Sequence, residues 1–231
     1  MISEKSLNEL TIGEIVTSDF RAAEVFKNAG IDFCCGGKKS LEQACNEKAL
    51  DKNSLILALQ NLQVQEDRTF RFNEWNLAFL CDYIVNTHHK YVTQKMPDLV
   101  FYTEKIARVH GNNHPELLEV ADLFGKVNAE LTQHLKNEEE VLFPAIKATV
   151  EYNTFDKRDI IKSEITRMSG EHDFAGGALD HINIITKGYA LPEDACNTYK
   201  VAFQLLKQFE DDLHIHVHLE NNILFPKALK L

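Results

Sequence analysis

Two stretches of this chain repeat one another at the residues best able to hold a metal ion. His134-x-x-x-Glu138-x-x-x-Leu142-Phe143-Pro144 is matched by His216-x-x-x-Glu220-x-x-x-Leu224-Phe225-Pro226, each residue lying 82 positions from its counterpart. An acid precedes each histidine by one turn, Glu130 and Asp212, at the same offset, and His89 and His172 form a further pair 83 apart. On a helix, positions i and i+4 lie about 40° apart on one face, so each motif sets an imidazole beside a carboxylate. In a bundle built from two like helix pairs, four imidazoles and two carboxylates then meet at mid-height in the core. Burying such charges alone is expensive, whereas cations compensate the carboxylates and give the imidazole nitrogens a partner. The spacing predicts a two-metal site, each ion taking two of His89, His134, His172 and His216, with Glu138 and Glu220 bridging.

Imidazole with carboxylate suits iron, zinc and manganese, and the lack of thiolates excludes an iron–sulfur cluster. Six side chains shared by two ions leave coordination positions open, which favours redox-active iron over a closed structural zinc. Any one of the ten histidines would ordinarily be a surface or core residue. The second copy of the motif, followed by the same Leu-Phe-Pro, sets these apart. His88 and His89 are about 100° apart on a helix, so one of the two is expected to point inward, and the 83-residue offset favours His89. His110, His114, His181, His214 and His218 are read as facing solvent or supporting the ligands. Glu130 and Glu171 are candidates to orient ligand imidazoles.

A second feature is Cys34-Cys35-Gly36-Gly37. Glycines here would let the backbone turn and expose the thiols, and Lys38, Lys39 and a helix start at Ser40 would favour thiolate, marking Cys34 and Cys35 as a reactive, catalytic pair. The alternative is that they are small packing residues. Cys45, Cys81 and Cys196 sit in helical patterns as ordinary side chains.

The elements that must position these groups are helices. Ser18-Asp19 caps a short helix stopped by Gly30, Ser40 caps another reaching Ala49, and a third starts at Asp51. Residues 1–66 form a small helical domain, and the polar stretch Gln63–Arg71 is its linker. Residues 73–231 then carry four long helices: from Asn73 to about Arg108, with a kink at Pro97; from Pro115 to about Leu142; from about Arg158 to Lys187; and from Pro192-Glu193 to Pro226. Pro144 and Pro226 are expected to close their helices. The fold class is all-α, an up-down four-helix bundle with a small helical domain before it.

Composition sets the frame. The 231 residues carry 25 Lys plus Arg against 35 Asp plus Glu, a formal charge of −10, with 44% hydrophobic and 26% charged residues. That is a globular composition, and its acidity argues against a nucleic-acid partner. No apolar run approaches the roughly 20 residues of a membrane span, and no export signal opens the sequence, so a cytoplasmic location with no membrane association is expected.

With these residues in place, the sequence resembles the iron–sulfur cluster repair di-iron proteins, the "repair of iron centres" family. The likeness covers nearly the whole chain: an N-terminal domain with Asp32-Phe33-Cys34-Cys35-Gly36-Gly37, then a hemerythrin-like domain with His89, His134-x-x-x-Glu138, Glu171-His172-Asp173 and His216-x-x-x-Glu220. It implies two iron ions in an oxo- and carboxylate-bridged non-haem centre, a role in restoring iron–sulfur clusters damaged by nitric oxide or oxidative stress, a cytoplasmic location and a homodimer. Oxygen-carrying hemerythrins present His-x-x-x-His on the third helix. Here Gly176 follows His172 by four residues, which argues against reversible oxygen storage.

The expected partners are damaged iron–sulfur proteins and small ligands such as nitric oxide or oxygen species. The centre would bind nitric oxide or give up iron to a damaged cluster, with Cys34-Cys35 supplying electrons or docking the recipient. Two rivals stand beside this reading: a nitric oxide reductase forming nitrous oxide at the same site, and a hemerythrin-like gas or redox sensor.

Overall fold

A computed structural model describes residues 7, 9–62, 71–152 and 156–231. The expected linker, Gln63–Arg71, lies outside the described residues except for Arg71. Among the described residues there is no strand, only an isolated bridge between Thr11 and Ser40. The protein is all-α. By its internal contacts the chain divides into two compact units, Met1–Leu80 with Val217–Lys230, and Cys81–His216 with Leu231.

In the first unit, α1 (Ile12–Ser18) is closed at its start by a capping box, Thr11 with Glu14. Helix α2 (Ala22–Asn28) follows Asp19, whose carboxylate accepts from the Arg21 backbone N–H and pairs with its guanidinium, and the chain turns at Gly30 with φ of +66°. Ser40 caps α3 (Leu41–Lys48) in a box with Gln43, and α4 is Lys52–Leu62. Ile12, Ile15, Phe26, Leu41 and Ile56 are buried beneath these helices.

The bundle helices are longer and pass through wide turns. The first runs as α5 (Leu77–Ile84), a π-turn over Val85–His89, and α6 (Lys90–His110), continuing through Pro97. The second runs as α7 (Glu116–Asn137), a π-turn over Glu138–Leu142, and α8 (Phe143–Tyr152). The third, α9 (Arg158–Ile185), has no such turn. The fourth runs as α10 (Asn197–Leu219), a π-turn over Glu220–Leu224, and α11 (Phe225–Ala228). It starts at Asn197 and not at Pro192-Glu193, because Pro192 opens a separate turn in which its carbonyl accepts from Ala195 N–H at 3.1 Å.

Contacts within the second unit set the helix directions. His110, ending α6, meets Cys196 just before α10, while His88 meets Asp212. Glu119, near the start of α7, meets His181 near the end of α9, while His134 meets Glu171. Neighbouring helices are therefore antiparallel, giving the up-down bundle. Its core holds Leu99, Val120, Val127, Met168 and Leu179, with Phe124 edge-on to Phe209 at a centroid distance of 5.4 Å. Full burial of each large apolar side chain contributes about 1.5–3 kcal/mol.

Pro144 and Pro226 do not close their helices; both lie just inside the segment that continues. In each π-turn the phenylalanine before the proline donates its N–H five residues back, Phe143 to Glu138 and Phe225 to Glu220. Widening the turn at that point shifts the carbonyl that proline would otherwise clash with, and the next residue owes no N–H. The Leu-Phe-Pro of the repeat thus marks a wide turn that begins at the glutamate of each His-x-x-x-Glu.

Candidate metal centre

Each expected metal ligand is buried: His89, His134 and His172 are 1% exposed, and His216, Glu138 and Glu220 are 0% exposed. Within the Cys81–His216 unit, the donor atoms of His89, Glu138 and His216 lie within 4.8 Å of one another, and so do those of His134, Glu138 and His172. Glu138 belongs to both sets. Its Oε2 is 3.4 Å from His89 Nε2 and 3.3 Å from His134 Nε2, so one carboxylate stands between two imidazoles on different helices. His172 Nε2 is 3.2 Å from His134 Nε2. Glu220 follows His216 by one turn along the same unbroken helix and is fully buried.

The opposite nitrogens of two of these rings are held by acids. His89 Nδ1 is 2.8 Å from Glu139 Oε1, and His134 Nδ1 is 2.7 Å from Glu171 Oε2. A carboxylate only accepts, so the proton of each neutral ring sits on Nδ1 and leaves the Nε2 lone pair facing Glu138. The hydrogen bond from His134, with Arg167 behind it, holds the Glu171 carboxyl below its usual range. Of the two orienting acids expected, Glu171 takes the role. Glu130 does not: it faces solvent. Glu139 was not anticipated, since it sits beside Glu138 at an exposed position and only the facing helix makes it a partner.

His88 and His89 both point inward, against the expectation of one. His88 is 3% exposed, stacks on His216 at 5.6 Å with rings 8° from parallel, and holds Asp212 through Nδ1 at 3.1 Å. The first helix is flanked by neighbours on both sides at this height, so adjacent positions each find a buried face. His218 is likewise fully buried, between the rings of Phe20 and Phe33 in the first unit, and burial pushes it down to about 4.

These residues fit a cation-binding site. Imidazoles with carboxylates form a donor set for borderline divalent metals, and a cation beside the fully buried Glu138 carboxylate would offset the cost of burying its charge.

The cysteine pair departs from expectation. Cys34 is buried and Cys35 half-buried. The Asp32 carboxylate accepts the N–H groups of Cys34, Cys35 and Gly36 at 2.9, 3.1 and 2.7 Å. The hydrogen bond to Cys35, burial and the Asp32 charge push the Cys34 thiol well up, so it is not a favoured thiolate. Lys39 pairs with Glu47 instead. The glycines serve packing: a Cβ at Gly37 would meet Asn222 Oδ1 at 2.5 Å, and one at Gly13 would strike the same amide. Asn222 Nδ2 donates to the carbonyls of Phe33 and Cys34. Cys45 and Cys81 are buried as expected, but Cys196 is exposed, and its contact with His110 at 3.2 Å lowers its thiol.

An up-down bundle with buried His and His-x-x-x-Glu side chains defines the hemerythrin class of cation-binding domains, and the family model described as hemerythrin HHE cation binding domain matches residues 82–228. The preceding residues 8–63 match a domain of unknown function, DUF542. The chain is 35% identical over 219 residues to iron-sulfur cluster repair protein ScdA of Staphylococcus epidermidis, covering 94% of this chain and 96% of that protein. It is 34% identical over 220 residues to iron-sulfur cluster repair protein YtfE of Yersinia pseudotuberculosis, with 95% and 96% covered, and to that of Yersinia pestis over the same extent. The chain belongs to this family of iron-sulfur cluster repair proteins. No helix among the described residues is long and apolar enough to cross a membrane.

Proposed function

We propose that the bundle holds two iron ions, one by His89 and His216 and one by His134 and His172, with Glu138 and Glu220 shared between them, and that the protein serves the repair of iron–sulfur clusters damaged by nitric oxide or oxidants. The observation that carries this is the position of Glu138 Oε2, 3.4 and 3.3 Å from imidazole nitrogens of two helices. The iron-sulfur cluster repair relatives support the repair role. Bound there, iron supplies one-electron chemistry and open coordination positions.

The chain's own residues then account for a site that holds metal without saturating it. Glu139 and Glu171 keep the protons of His89 and His134 on Nδ1, directing both lone pairs inward. Gly176, one turn beyond His172, supplies no ligand, so this side of the site stays open to a small molecule or to loss of iron. Cys34 and Cys35, with sulfurs 4.0 Å apart, form a dithiol whose oxidation to a disulfide would pass two electrons to an oxidatively damaged iron–sulfur cluster and two protons to water.

Replacing both carboxylates, Glu138→Ala with Glu220→Ala, is expected to abolish stoichiometric iron uptake, measured by metal analysis; retention of both irons refutes the assignment. Reduced, iron-loaded protein is expected to transfer iron to an apo-cluster protein. Formation of nitrous oxide without iron loss would move the reading to a reductase.

A further inference from the structure

Away from this centre, Asp180 on α9 and Glu210 and His214 on α10 bring three donor atoms within 4.8 Å of one another. We propose that these residues form a separate site for a single first-row divalent cation, such as zinc, manganese or ferrous iron. Glu210 and His214 are four residues apart and share a helix face, the reverse order of the His-x-x-x-Glu motif. Glu210 lies six residues before His216, roughly 9 Å along the axis and about 120° around it, so the two sites use different faces of α10. Asp180 lies eight residues beyond His172, roughly 12 Å along α9. The 82-residue repeat has Asn128 and Thr132 at the positions matching Glu210 and His214, so this site has no counterpart in the other half.

The arrangement is built, not merely acidic. Glu210 is 5% exposed, and its two oxygens accept from the Asn183 amide at 3.2 and 3.0 Å, which fixes the carboxylate plane. The Tyr189 hydroxyl is buried beside Glu210. Tyr189 is brought there by three successive left-handed residues, with φ of +54° at Lys187, +71° at Gly188 and +61° at Tyr189. Burial holds the Glu210 carboxyl above its ordinary range, a cost that a cation beside it would relieve. Asp180 is exposed and His214 half-buried, which leaves a path from solvent. Two carboxylates and one imidazole suit borderline divalent ions over Cu(I), and three protein ligands leave room for water.

The test titrates Co2+, whose visible absorption reports its ligands, into protein whose bundle centre is already loaded with iron. One further equivalent is expected, weakened at least about tenfold by His214→Ala and by Asp180→Asn, both changes at accessible positions. Glu138→Ala, which disables the bundle centre, is expected to leave this uptake in place, so failure here is distinguishable from failure of the iron assignment. Absence of a further equivalent, uptake unchanged in His214→Ala, or uptake lost with Glu138→Ala alone would each overturn the proposal.

Discussion

The side-chain amide of Asn222 donates to the carbonyl oxygen of Cys34 at 3.1 Å, and Asn222 lies two residues after Glu220 in the same π-turn. The loop bearing the cysteine pair is thus fastened to the stretch of backbone that carries Glu220. In the other half of the repeat the matching residue is Glu140, which faces solvent.

Replacing Asn222 by Ala strips a donor from the carbonyls of Phe33 and Cys34, which is expected to destabilise the fold by about 1–3 kcal/mol. Gly37→Ala should act in the same direction, since its Cβ would force the amide off both carbonyls. Thermal melts of the two variants check this; unaltered melting would show that the loop holds without the amide.

The acids behind the ligand rings should matter to metal rather than to folding. Glu139→Ala and Glu171→Ala are each expected to weaken metal affinity by roughly 10–100-fold. Competition with a chelator of known affinity measures it, and wild-type affinity in both would show that ring orientation comes from packing alone.

Proline after each wide turn is expected to protect that turn. Pro144→Ala restores an N–H that can bond four residues back and draw Glu138–Leu142 toward ordinary α-helix, turning the Glu138 carboxylate out of its position. Lower iron content in a well-folded variant is the expected outcome, and full iron content would detach the proline from the site.

Thiol reactivity should rank by surroundings. Cys196, exposed and facing His110, is expected to be alkylated first by iodoacetamide at neutral pH, with Cys34, Cys45 and Cys81 far slower because they are buried. Mass spectrometry of native protein at short times reads the order, and Cys34 reacting first would contradict it.

Beside Cys196, the hydrogen bond that His114 Nε2 donates to the Asp194 carboxylate at 2.9 Å raises the titration of His114. A histidine whose folded value exceeds its unfolded value contributes stability that is fully present below about pH 6.5 and is lost as pH rises through the raised value. The melting difference between wild type and Asp194→Asn should therefore be larger near about pH 6 than near about pH 9. An equal difference at both would assign the pair no pH-linked role.

Much of the clustering of these side chains could be read from spacing alone. His-x-x-x-Glu repeated at constant distance identifies which side chains share a helix face, because angular position within one helix follows from residue number. Capping chemistry at Ser40 and the left-handed stop at Gly30 were legible for the same local reason.

What spacing leaves open is which group stands opposite, and how far a widened turn rotates it. Glu139 and Glu171 become partners of His89 and His134 only because neighbouring helices run antiparallel at that height, whereas Glu130, at an equally regular offset, faces water. The burial of His88 and His218 and the raised thiol of Cys34 arise in the same way. Cys34 looked activated beside two lysines, yet its state is set by Asp32, Cys35 and packing that includes Asn222 from the far end of the chain. Desolvation and hydrogen bonding depend on distance in space, and only the folded chain specifies that distance.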